Sequence, residues 1–145
     1  MTFPYSAYLR SLGMGPALIR RLSRVFDFYS SILPESVETM FVCDYFNDDG
    51  TRSYDSAWLF TDSYAVEARD WETEDNWDAL RITRLTYWRL QKENYDFHRR
   101  ATDRSRFNLE FTTLTNSGNL RAAGNNCKRL KDIFLKYIMR DMGET

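Results

Sequence analysis

The sequence predicts an α+β domain: about seven antiparallel strands closed into a small barrel, a helix capping its end, and an additional N-terminal helix. Three observations carry this. Asp49-Gly50 and Ser117-Gly118 each sit between apolar runs, and such pairs reach the positive φ that tight hairpins demand. Phe107, Leu109, Phe111 and Thr113 alternate with Asn108, Glu110 and Thr112, the period of a strand with one buried face. Two segments, one toward each end, instead repeat apolar residues every three or four positions, the period of a helix. Hairpin-linked strands leave edges to hide, and closure into a barrel hides them.

Residues 1–13 read as an arm or a short turn of helix. Gly15-Pro16 opens the first helix, with proline suited to its first position. Leu18, Ile19, Leu22, Val25, Phe26 and Tyr29 follow at helical spacing, with Arg20, Arg21 and Arg24 toward the other side. Ser30 to Pro34 ends it. Val37 to Phe46 is the first strand, Asn47-Asp48-Asp49-Gly50 its turn, and Tyr54 to Phe60 the return. Thr61-Asp62-Ser63 turns the chain into a third strand carrying Tyr64, Val66 and Ala68. Residues 70–78 read as a loop. Leu80 to Leu90 is a fourth strand with a bulge near Arg84-Leu85, where alternation slips, and Tyr95 and Phe97 belong to a fifth strand or to an extension of the fourth. A basic loop, Arg99 to Arg106, precedes the strand at Phe107. Asn116 to Asn119 turns the chain, and Leu120 to Ala123 returns. Past Gly124-Asn125-Asn126, where either Asn suits a helix cap, Cys127, Leu130, Ile133, Phe134, Tyr137 and Ile138 form the stripe of the last helix. Gly143 stops it. The expected layout is one domain over 1–145: arm and helix in 1–34, barrel in 37–123, C-terminal helix in 126–142.

Ala57-Trp58-Leu59-Phe60-Thr61-Asp62-Ser63-Tyr64-Ala65-Val66, the segment Ile82 to Leu90, and Phe107 to Ile138 with its Ser117-Gly118 hairpin together resemble the pleckstrin-homology-like superfold, which includes bacterial PH and GRAM domains. The resemblance spans roughly residues 37–142. It implies seven antiparallel strands in two sheets capped by a C-terminal helix. It also implies an inositol-phosphate site of Lys and Arg around the first hairpin. Here that hairpin is Asp48-Asp49-Gly50-Thr51-Arg52-Ser53; two adjacent carboxylates repel a phosphate, so the lipid site does not carry over. Members of the superfold also act as protein-interaction scaffolds, and fold alone does not fix function. In size and lack of motifs the chain is also similar to small bacterial and phage proteins.

The chain has 145 residues, a usual length for one domain, and a formal charge of −1 that hides a strong pattern. Residues 1–34 hold four Arg against one Asp; residues 35–78 hold thirteen acids against two Arg; residues 79–145 hold fourteen Lys or Arg against seven acids. The chain is therefore acidic in the middle and basic toward both ends. Cys43 and Cys127 are far apart and lack a C-x-x-C partner, which fits reduced, buried thiols in a cytoplasmic protein. The N-terminus lacks a basic run followed by an apolar one, and no apolar stretch nears the ~20 residues of a membrane span.

Two stretches are candidate sites. In residues 70–78, Trp71 and Trp77 sit among Asp70, Glu72, Glu74, Asp75 and Asp78. Tryptophan suits binding hot spots and the acids suit steering of a basic partner; the bland alternative is a solvated loop with its indoles folded inward. The loop is not an EF-hand, because position 75 is Asp where that pattern requires Gly. Arg99, Arg100, Arg104 and Arg106, with Arg81, Arg84 and Arg89, suit a phosphate or nucleic-acid surface, or a solvated face balancing the acids. The two loops could also meet in a homo-oligomer. His98 is the sole histidine and sits beside basic Arg99 with no marked carboxylate partner; no phosphate loop, nucleophile elbow or metal-ligand spacing occurs. The expectation is a non-catalytic protein-interaction module without cofactor. The alternatives are binding of phosphate, lipid headgroup or nucleic acid through the arginines, and a small ligand inside the barrel.

Overall fold

Two separate antiparallel sheets stand where the sequence predicts one closed barrel. The computed structural model describes residues 3–73, 76–81, 87–94, 105–113 and 116–139. The first sheet has the order β1 (Thr39–Phe46), β2 (Arg52–Phe60), β3 (Tyr64–Arg69), β4 (Asn76–Arg81), and the second the order β5 (Tyr87–Asn94), β6 (Ser105–Thr112), β7 (Ser117–Ala123). Helices α1 (Ser6–Ser11) and α2 (Pro16–Ile32) precede them; α3 (Asn126–Ile133) follows and runs into a π-helical turn, Phe134–Ile138. Seven strands and a closing helix are thus present, but not a barrel. Of Leu80–Leu90, read in the sequence as one bulged strand, Leu80 and Arg81 lie on β4 and Tyr87 to Leu90 on β5, strands of different sheets; β4 begins at Asn76, inside the stretch read as a loop. No ladder joins the two sheets among the described residues. The bulge at Arg84-Leu85 and the strand at Tyr95 and Phe97 fall outside those residues. Among the described residues no helix is long and apolar enough to cross a membrane.

Packing divides the chain into two units, each made of discontinuous segments. The first takes residues 1–42 and 55–80, the second residues 43–54 and 81–145.

In the first unit, α2 begins at an extended Gly15 with Pro16 just inside and buries Leu22, Val25, Phe26 and Tyr29 of its predicted stripe, with Leu18 and Ile19 half-buried. Leu9 of α1 is fully buried beside it in sequence with Leu12 and Met14. The strand core is Met40, Phe41 and Val42 with Trp58, Leu59 and Phe60. The hydroxyl of Tyr8 accepts the Val42 N–H at 3.1 Å. The β2–β3 register pairs Ala57 with Ala68 and Phe60 with Ala65. Between them, the Thr61-Asp62-Ser63 turn forms as predicted, with Thr61 N–H on the Tyr64 carbonyl at 2.9 Å. Glu35 clamps this turn: it accepts the Thr61 hydroxyl at 2.6 Å and the Ser63 N–H and hydroxyl at 2.9 Å each.

In the second unit the Asp-Gly hairpin also forms as predicted. Gly50 adopts φ +89, and Asn47 N–H meets the Thr51 carbonyl at 2.8 Å. The β6–β7 register runs from Arg106 opposite Ala123 to Thr112 opposite Ser117. Leu109, Phe111, Leu120 and Ala122 are buried on these strands, as are Cys127, Leu130, Ile133 and Tyr137 on the closing helix. The core also buries an acid. The side chain of Asp44 is fully covered. It accepts the Ala123 N–H and the Asn126 amide at 2.9 Å each, and pairs with Arg52 at 3.1 Å. Arg52 lies over the Phe46 ring at 4.7 Å and reaches Asn125 at 2.8 Å. Gly124, at φ +58, passes so close that a Cβ there would meet Phe46 at 3.0 Å and Arg52 at 3.1 Å.

Candidate functional site

Trp71 and Trp77, read together in the sequence, have different fates. Trp71 is 2% exposed. Its indole N–H donates to the Asp55 carbonyl at 2.7 Å, and its own carbonyl accepts from Arg21 Nε on α2 at 2.9 Å. Asp70 supports this inward turn by taking φ +51, a left-handed conformation that Asp tolerates better than most residues. A tryptophan so held fills core rather than facing a partner.

Trp77 is half-buried on β4, the outer strand of its sheet. Its ring packs on Phe28 at 5.1 Å and on Tyr29 at 5.9 Å, and Phe28 meets Tyr29 edge-on at 5.0 Å. Tyr29 belongs to the buried stripe of α2, whereas Phe28 lies off it and is 47% exposed. Ile32 lies one turn beyond Phe28, on the same side of the helix, and is 57% exposed. Single exposed apolar residues are ordinary; a contiguous group with an aromatic centre marks an interaction surface. An outer strand adds backbone N–H and C=O groups free to pair with another chain. The indole N–H of Trp77 is covered and meets no acceptor among the described residues, which costs on the order of 1–3 kcal/mol.

The electrostatic setting is acidic. Asp70, Glu72 and Asp78 are exposed. Partial burial pushes the Glu72 carboxyl above its usual range, and the charge of Asp55 adds to the rise. Burial likewise raises the Tyr29 phenol, with the Asp78 carboxylate adding to it. Arg69, bonded to Glu67 at 2.9 Å, lies within the field of Asp78 and Asp70. Of these acids, Asp78 is the one whose charge reaches Tyr29 of the aromatic group.

Glu74, Asp75, Arg99, Arg100 and Arg104 lie outside the described residues, as do Arg84 and His98. Arg106 is half-buried on β6, and Arg89 on β5 is exposed and bonded to Gln91 at 3.0 Å. Sequence reasoning missed Phe28 and Ile32. The signal for Phe28 was available: a large aromatic residue just off the apolar stripe of an amphipathic helix.

Comparison of the chain with protein-family profiles, curated proteins and solved structures finds no match.

Proposed function

We propose that the protein is a non-catalytic interaction module whose docking surface is the Phe28, Ile32 and Trp77 edge of the first unit. Its occupant is an extended, basic segment of a partner protein that pairs with β4 and covers the aromatic group. The observation that carries this reading is the packing of a 47%-exposed Phe28 against Trp77, their ring centroids 5.1 Å apart, along an outer strand. Covering such side chains stabilises a complex by roughly 1.5–3 kcal/mol each. Asp70, Glu72 and Asp78 select a basic partner and speed its approach. Seven antiparallel strands followed by a helix support a pleckstrin-homology-like scaffold used for protein contacts. No phosphate site is assigned to the first hairpin, where the Asp49 carboxylate itself takes the Thr51 N–H at 3.0 Å and hydroxyl at 2.6 Å. The two unbridged, buried thiols support a cytoplasmic setting.

A displayed library of extended peptides, half basic and half acidic, tests this. Basic peptides with alternating apolar residues should be enriched, and Phe28→Ser should weaken the best of them at least tenfold with the unfolding midpoint unchanged. Equal recovery of acidic and basic peptides, or unchanged affinity in Phe28→Ser, would remove the reading.

A further inference from the structure

The first unit contains a second feature, on the opposite side of the charge pattern. Two residues past α1, Gly13 takes φ +84 and lets the chain reverse, with Gly13 N–H on the Arg10 carbonyl at 2.9 Å and Met14 N–H on the Leu9 carbonyl at 3.2 Å. The reversal leaves an open cleft of about 350 Å³ between the two helices, at the small end of the roughly 300–1,000 Å³ typical of ligand pockets. Pro16, Ile19, Arg20 and Ser23 line one wall; their spacing of three, four and seven places them on one face of α2. Arg10 of α1 lines the other wall, Met14 lies in the reversal, and Phe3 lines the cleft too, its ring held against Phe26 at 5.6 Å.

The cleft is thus apolar within, through Phe3, Met14, Pro16 and Ile19, and carries two exposed guanidiniums, Arg10 and Arg20. Neither forms an ion pair among the described residues. Asp27 is the one acid in residues 1–34, two helical turns beyond Arg20. The start of α2 has no side-chain cap and no acid in its first turn, so its dipole adds to the same positive potential. Unneutralised arginines are suited to carboxylate and phosphate, which they grip with paired N–H donors. A cleft with an apolar body and such a rim selects a ligand with the same division.

We infer that the cleft between α1 and α2 binds a small amphipathic anion, its apolar part against Met14 and Ile19 and its carboxylate or phosphate head between Arg10 and Arg20. This site is independent of the β4 edge, and a ligand here would leave Phe28 and Trp77 untouched.

The test titrates the full chain with octanoate, octyl phosphate and octanol, following the Ile19 and Met14 methyl signals by NMR. Both anions should shift these signals saturably, and octanol should bind at least tenfold more weakly. The tighter of the two anions identifies a carboxylate or a phosphate as the natural head. Arg10→Gln and Arg20→Gln are surface changes that leave the core intact, and each should weaken the anions about tenfold. Binding of octanol as tight as octanoate, indifference to both arginine variants, or unmoved methyl signals at millimolar anion would each overturn the inference.

Discussion

Each unit uses one carboxylate to tie a strand to a distant segment, and the two ties differ chiefly in their access to water. Glu35 in the first unit is half-buried and holds the turn at Thr61 and Ser63 with three hydrogen bonds. Asp44 in the second unit is covered and holds Ala123, Asn126 and Arg52. By count of partners Asp44 is at least as well served. Yet its carboxyl is pushed up from 3.8 to about 6, because burial raises it more than Asn126, Arg52 and the Ala123 N–H together lower it. Good partners do not by themselves make a buried charge cheap; removing its water costs more than they return. The tie in the second unit is strong in geometry and conditional in protonation.

The largest expected effect comes from deleting that tie. Asp44→Ala leaves the Arg52 guanidinium, 13% exposed, without its counter-charge, and strips acceptors from Asn126 and the Ala123 amide. A buried pair broken from one side costs about 3–5 kcal/mol, readable in urea unfolding. A loss below about 1 kcal/mol would mean that Asp44 is no more essential than a surface acid. Next is pH. Because the folded carboxyl lies above its ordinary 3.8, at about 6, folding binds its proton. The stabilisation is complete below pH 3.8 and is lost as pH rises through about 6, a change of about 3 kcal/mol from this group. Carboxyl carbon NMR of Asp44 should show a midpoint near 6 in the folded chain; a midpoint near 3.8 would erase the contrast between the two ties. The smallest effect belongs to Glu35→Ala, which removes acceptors at a site that water reaches. It should cost about 1–2 kcal/mol by the same unfolding measurement, and a loss matching that of Asp44→Ala would invert the comparison.

Much of this was legible from local pattern. Alternation located the first three strands, the last two and both longer helices, and turn chemistry the first two hairpins, because those signals are set by neighbouring residues; Ser117-Gly118, read as a turn, instead lies in β7 opposite Thr112 and Phe111. The barrel was not legible. Closure depends on which strands pair across the sheets, and that is decided by residues far apart in sequence. Trp71 was misleading for a related reason: its acidic neighbours suggest exposure, while its burial rests on Arg21, fifty positions earlier. Asp44 did leave a trace. It continues the Met40, Val42 face of β1, and an acid on an apolar strand face needs partners of the kind found in Arg52 and Asn126. The cleft left none beyond the excess of arginine in residues 1–34, since its walls meet through the reversal at Gly13.

Cys43 and Cys127, both buried, fall in the second unit, while Trp58, Trp71 and Trp77 fall in the first. A thiol reagent reaches Cys43 and Cys127 only when the second unit opens, so the rate of modification becomes a clock for that opening. Indole emission, dominated by three of the four tryptophans, reports on the first. The native chain therefore carries two reporters of different chemistry, and whether its halves melt in one step or two can be timed without adding a label.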